Sequence, residues 1–99
     1  MKSPFPQHVY KRNAEIYKIM ANHKRLEILN ILKLRPCTVE QLCRIIGARK
    51  ANISQHLAVL RNCRIVEAHR SGVSVRYSIV DSRIVEPCRI LKNLFNNSR

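Results

Sequence analysis

Acidic residues are scarce in this chain: six Asp and Glu stand against 19 Lys and Arg in 99 residues, a formal charge of +13. Glycine is scarcer, with two in the whole chain, so no glycine-rich phosphate loop can form. The few carboxylates are scattered, and no Ser-His-Asp order carries nucleophile-elbow glycines. The expectation is therefore no enzyme, no catalytic residue and no cofactor. No apolar run approaches the roughly 20 residues of a spanning helix, and the cations are dispersed rather than massed on one amphipathic face, which sets a membrane partner aside. The opening Met1-Lys-Ser-Pro-Phe-Pro6 is polar and proline-broken, unlike a signal-peptide core. A cytoplasmic protein is expected, in which the four cysteines stay as thiols. What is abundant is positive charge, and such a field draws polyanions, nucleic acid first.

One domain over residues 1–99 is expected, since 45% apolar residues suffice for a small core with little to spare. There is no internal repeat or linker; residues 1–6 read as a loose arm and 96–99 as a frayed end. Two helices come first. Tyr10, Ile16, Tyr17, Ile19 and Met20 share helical spacing from about Val9 to Met20, and Leu26, Leu29 and Leu32 follow an Asn22 cap.

The next stretch, about 38–62, pairs two short amphipathic helices across Gly47. The first carries Val39, Leu42, Ile45 and Ile46 and opens on a capping box, Thr38 with Gln41, directly after Pro36. The second carries Ile53, Leu57 and Leu60, and its outward groups are Arg49, Lys50, Asn52, Gln55, His56 and Arg61. Amide side chains can read adenine, and cations can meet guanine or phosphate. No acid lies between Glu40 and Glu67, whereas an ordinary solvated helix would carry both signs. This is a helix-turn-helix set up for DNA.

Then the period changes to two. Arg64–Arg70 and Val73–Val80 read as strands, the second alternating Val73, Val75, Tyr77 and Ile79, with Ser71-Gly72 between them for the turn. The hairpin, about 64–80, is a wing, and its Arg70 and Arg76 are placed to meet a DNA backbone or minor groove. A last helix follows over about 84–96, with Ile84, Cys88, Leu91 and Phe95 in one stripe and Val85 and Leu94 beside it. Pro87 demands either a helix start near Glu86 or a short turn over 82–85 before it.

The fold class expected is mainly α with a small β-hairpin, in the order α-α-α-α-β-β-α: a winged helix-turn-helix. In detail the chain resembles the ArsR/SmtB repressors. The resemblance rests on Ala21-Asn-His-Lys-Arg-Leu-Glu-Ile-Leu29, similar to that family's Ala-Asp-Pro-x-Arg-Leu-x-Ile-Leu, on Ile53-Ser-Gln-His-Leu-Ala-Val-Leu-Arg61, similar to its Val-Ser-x-His-Leu-x-x-Leu-Arg, and on the wing from Gly72 to Ile79. It implies a homodimer held by the first and last helices (about 9–20 and 84–96), whose recognition helices enter successive major grooves of an inverted-repeat operator in double-stranded DNA. It further implies transcriptional repression relieved by an inducer, and it puts Ser54, Gln55 and His56 at the family's recognition-helix positions, with Arg49, Lys50 and Asn52 extending the contact surface toward the helix start. Arg49 stands where the family usually has a serine cap, a departure that costs about 1 kcal/mol of helix-start stability. His56, remote from other ligands, reads better as a phosphate or packing histidine than as a metal ligand.

The inducer sites of the family can be compared one by one. The soft-metal Cys-x-Cys at the start of the third helix corresponds here to Thr38 and Glu40, and the zinc site's Asp-x-His to Asp81-Ser-Arg83, with a cation where the imidazole would be. No metal ligand set is therefore assigned. Cys37, Cys43, Cys63 and Cys88 remain as thiol candidates. Cys43 and Cys88 fall on apolar faces; Cys37 lies beside a helix start and Cys63 between Arg61 and Arg64, positions that favour a reactive thiolate. The family's paired sulfur-sensing cysteines lie in the second and last helices, and the second-helix position here is Asn30. A thiol or sulfur signal is favoured over metal. Two alternatives stay open: a metal- or metalloid-responsive repressor with a non-standard cysteine site, and a basic winged-helix nucleic-acid or interaction module without an inducer.

Overall fold

A computed structural model describes residues 1–96; the expected fray at 97–99 lies outside the described residues. The elements are α1 (Gln7–Met20), α2 (His23–Leu34), α3 (Val39–Ile46), α4 (Lys50–Asn62), β1 (Val66–Ser71), β2 (Ser74–Ile79), a short 3-10 turn (Ser82–Val85) and α5 (Glu86–Leu94). The order is that of a winged helix-turn-helix. No helix among the described residues is long and apolar enough to cross a membrane.

Local chemistry sets most of these boundaries. Asn22 caps α2 by accepting from the Arg25 amide at 3.1 Å. The Thr38 hydroxyl accepts from the Gln41 amide at 3.1 Å while the Gln41 side chain accepts from the Thr38 amide at 2.8 Å, the reciprocal box the sequence announces. Gly47 ends α3 at φ +76°, a left-handed conformation open to glycine at little cost. At the end of α4 the same conformation falls to Arg64, at φ +61°. The Ile65 amide reaches the Leu60 carbonyl and the Arg64 amide the Arg61 carbonyl, both at 3.0 Å, and Leu60 and Ile65 are both buried. That is a Schellman close with arginine in the glycine position. Arg64→Gly is expected to stabilise the chain by about 1 kcal/mol, read as a higher urea midpoint at unchanged m-value.

The core gathers Ile28, Leu29 and Leu32 of α2, Leu42 of α3, Ile53, Leu57 and Leu60 of α4, and Ile65 and Val66 at the root of the wing, with Met20, Cys37 and Val85 closing it. Ile45 is not part of it. Read in the sequence as a core residue of α3, it is 52% exposed, because eight residues make little more than two turns and Leu42, with the half-buried Val39 and Ile46, fills the inward side.

The hairpin register pairs Val66 with Ile79 and Ser71 with Ser74, so the turn is Gly72-Val73, one residue later than expected. Gly72, at φ +63°, takes the first central position, as a type II′ turn requires, and leaves Val73 fully exposed at the tip. A third strand segment joins the root: the Cys37 amide donates to the Tyr77 carbonyl at 3.0 Å and the Tyr77 amide to the Cys37 carbonyl at 2.7 Å. The N-terminal arm is less loose than expected, since Phe5 meets the Tyr10 ring edge-on at 5.9 Å and Ser3 donates to the Tyr10 hydroxyl at 2.8 Å.

Both sequence options for the last helix hold together: a 3-10 turn precedes α5, and Pro87 sits in its first turn. Asp81 caps this turn and pairs with Arg83 at 2.7 Å. α5 is moored by Val85, by Glu86 between Lys33 (3.1 Å) and Arg89 (2.7 Å), and by the Asn30 amide donating to the Cys88 sulfur at 3.4 Å. No residue of α5 itself is buried.

Candidate nucleic-acid interface

α4 turns Ile53, Leu57 and Leu60 inward, so a pitch of 3.6 residues places Ala51, Gln55, Ala58 and Asn62 on the opposite line. All four are exposed. Ser54 and Arg61 stand on one flank of Gln55, and Asn52 on the other with His56 further round. Two small alanines beside a central amide let a helix approach base edges closely, and alanine itself suits a thymine methyl. Ala51, Ala58 and Asn62 were absent from the polar candidates of the sequence, although the 51, 55, 58, 62 spacing displays them.

Lys50 is engaged. Its ammonium lies 3.1 Å from the Glu40 carboxylate, both side chains well exposed. Glu40 is held below the usual carboxylate range by backbone hydrogen bonding first and then by Lys50. The acid-free stretch seen in the sequence thus has a carboxylate brought back onto it from α3. Arg49 is the N-cap, and its side chain makes no capping bond, as its replacement of a capping side chain suggests.

His56 differs most from its neighbours. It is only partly exposed, and its Nδ1 accepts a hydrogen bond from Arg25 Nε at 3.2 Å. Burial foremost, then the charges of Arg25, Lys24 and His23, keep its pKa below the ordinary 6.5. At neutral pH it is therefore an uncharged packing group rather than a cation for phosphate. Arg25 was not among the sequence candidates.

On the wing, residues paired across the hairpin share a face. Arg70 pairs with Val75 and continues the inner face of Val66, Ala68, Tyr77 and Ile79; Arg76 pairs with His69 on the outer face. The two exposed arginines therefore point to opposite sides, where the sequence treated them alike. His69 also meets Glu67 at 2.9 Å.

All four cysteines are free thiols. Cys37 is fully buried and donates to the Arg35 carbonyl at 3.6 Å, although its place beside a helix start had suggested reactivity. Cys43 and Cys88 are half-buried. Cys63 is half-buried at the C-cap of α4 and lines a cleft of about 370 Å³ with Arg12, Tyr17, Arg64 and Val80. Among the described residues no three His, Cys, Asp or Glu side chains converge on a common point. The Asp81 carboxylate, held at about 2 by hydrogen bonds from Arg83, is already occupied by a guanidinium.

Residues 22–68 match the family described as "Bacterial regulatory protein, arsR family". The HTH-type transcriptional regulator Rv0081 of Mycobacterium tuberculosis is 39% identical over 79 residues, 79% of this chain and 69% of that protein. Its crystal structure superposes with a TM-score of 0.76 at 32% identity, covering 98% of this chain and 94% of that one. MJ1325 of Methanocaldococcus jannaschii, another HTH-type transcriptional regulator, is 34% identical across 86% of this chain and 97% of its own length. The solution structure of Mb0332 from Mycobacterium bovis, described as a homodimeric winged helix-turn-helix DNA-binding domain, superposes at a TM-score of 0.79 with 25% identity, over 96% of this chain and 93% of that one. Fold, motif and relatives agree: this chain belongs to the ArsR family of winged helix-turn-helix transcriptional regulators and is not an enzyme.

Proposed function

We propose that this chain is a homodimeric repressor in the cytoplasm that binds an inverted-repeat operator and leaves it on an inducer signal. The observation that carries the reading is the outward line of α4, an amide between two alanines with cations at the helix start and end, a surface shaped for a major groove. Gln55 reads base edges there, assisted by Asn52 and Ser54, while Arg49 and Arg61 meet phosphates. Lys50 joins them on exchanging Glu40 for a phosphate. The wing enters the adjacent minor groove tip first, so that Arg70 and Arg76, on its two faces, meet opposite phosphate walls. The whole described chain acts as one DNA-binding domain, with α1 and α5 as the dimerisation helices.

For the inducer, a thiol or sulfur signal at the partly accessible Cys43, Cys63 or Cys88 is favoured over metal. Supporting this are the half-exposed thiols and the Arg83-bound Asp81. The Asn30–Cys88 contact sits where the resemblance puts a cysteine pair, so any thiol chemistry of α5 involves Cys88 without a partner on α2.

Fluorescence anisotropy of the reduced, metal-free protein on its own upstream DNA and on a scrambled duplex tests the DNA reading. Specific binding should exceed random binding by roughly a thousandfold. Gln55→Ala should reduce discrimination among operator variants by about 1–3 kcal/mol, whereas Arg49→Ala should weaken all duplexes alike and lower the salt slope by about one. Equal losses on operator and scrambled DNA for Gln55→Ala would remove its base-reading role.

A further inference from the structure

Arg25 joins three helices. From the first turn of α2 its Nη1 donates to the Ile19 carbonyl at 3.0 Å, in the last turn of α1, and its Nε donates to His56 Nδ1 at 3.2 Å, on α4. Among the described residues, Arg25 is the side chain whose hydrogen bonds reach both α1 and α4. The guanidinium is planar, permanently charged and directional, so the two bonds fix the angle between the end of α1 and the middle of α4. We propose that Arg25 is a positioning residue that sets the pitch of the recognition helix against α1, through a bond that only the neutral imidazole of His56 can accept. The proposal rests on the reading of α4 as the helix that reads DNA.

The chemistry of the bond gives it a sign. In the neutral imidazole, accepting at Nδ1 leaves the proton on Nε2. In the imidazolium, Nδ1 carries a proton of its own, and an N–H would face the Arg25 N–H, cation against cation. The charges bearing on His56 are Arg25, Lys24 and His23, all from α2; none is an acid that would welcome the second proton. His56 is held below the ordinary 6.5, burial being the largest cause, so the tie is closed at neutral pH and opens on acidification. The linkage runs the same way: with the folded value depressed, the unfolded chain binds the proton more readily, and the stabilisation present above about 6.5 is lost as pH falls below it.

This sign separates the proposal from the simpler role. A histidine that contacts phosphate strengthens binding to every duplex when protonated; a positioning histidine weakens operator binding. The test is anisotropy on operator and scrambled duplexes from about pH 7.5 to about pH 5.5, with wild type, Arg25→Gln, His56→Asn and the double variant. Asparagine places an acceptor oxygen near the Nδ1 position and does not titrate. Wild-type operator affinity is expected to fall about tenfold in acid, the scale of one charge-assisted hydrogen bond, with no such fall on scrambled DNA. His56→Asn should keep neutral-pH affinity and lose the acid response. Arg25→Gln should bind operator about tenfold more weakly at neutral pH, with scrambled-duplex binding and circular dichroism retained and the acid response gone. The double variant should be no weaker than Arg25→Gln.

Acid strengthening on both duplexes, or wild-type operator affinity in Arg25→Gln, would overturn the proposal. Failure of the DNA reading looks different: wild type would not distinguish operator from scrambled duplex at any pH. In that event nitrogen-15 NMR of the His56 ring decides whether the tie exists, by an Nε2–H tautomer in wild type that Arg25→Gln releases; an unchanged ring would remove the tie itself.

Discussion

The double variant Leu91→Asp, Leu94→Asp is expected to be a folded monomer that binds operator at least about a hundredfold more weakly than the parent. α5 contributes nothing to the buried core: Ile90, Leu91 and Leu94 are 49, 52 and 68% exposed, and Tyr17 of α1 is 68% exposed. Leucine burial stabilises by roughly 1.5–3 kcal/mol per side chain, so the four leucines of the proposed twofold interface would represent several kcal/mol that a single chain forgoes. Aspartate there replaces that gain with four carboxylates facing one another. The core is untouched, so the far-UV circular dichroism should persist. The hundredfold follows from losing the second half-site, since linking two binding events raises affinity by 10²–10⁴. Sedimentation velocity and anisotropy read the two halves; a variant that still sediments as a dimer would place the interface elsewhere.

Leu57→Ala should act from the opposite side, on the fold itself. Leu57 is 1% exposed in the middle of α4, among the α2 and wing-root core residues. Truncating a leucine so placed costs about 3–5 kcal/mol through lost transfer and the cavity left behind. Against the roughly 5–15 kcal/mol that holds a domain folded, this is a large share, and Tm should fall by about 15 °C or more. Thermal melts at one fixed protein concentration are needed, since the Tm of a dimer depends on concentration. Ile45→Ala is the internal control: half-exposed on α3, it should shift Tm by only a few degrees. A comparable drop for both would mean that α3 is packed differently.

How far these features could be read from the sequence depended on their range along the chain. The Thr38 box, the Asn22 cap and the Gly47 turn each act within one helical turn, and the sequence shows all three. The hairpin was visible in its alternation, but a period of two fixes which residues share a face better than where the chain reverses; φ at Gly72 settled the turn one residue later. Ile45 was misread because a short helix offers too few turns for its apolar stripe to be told from its margin. The outward residues of α4 follow once its buried line is known, but Ala51 and Ala58 carry no polar group to mark them in the sequence. The Arg25–His56 bond and the Glu40–Lys50 pair join separate helices, and no local pattern encodes them.

The bridge between Cys37 and Tyr77 has a mechanical meaning. It fastens the wing at its base to the segment between α2 and α3, while Val73 at the far end is fully exposed. The hairpin is thus a cantilever, clamped at one end and free at the other. Deflection concentrates at the tip, so on the proposed DNA reading the wing would follow grooves of different width without moving its root or the core behind it. Amide exchange should grade along it, slow at Cys37 and Tyr77 and fast at Val73, and the ordering entropy lost when the wing settles on DNA falls on the few residues around Gly72.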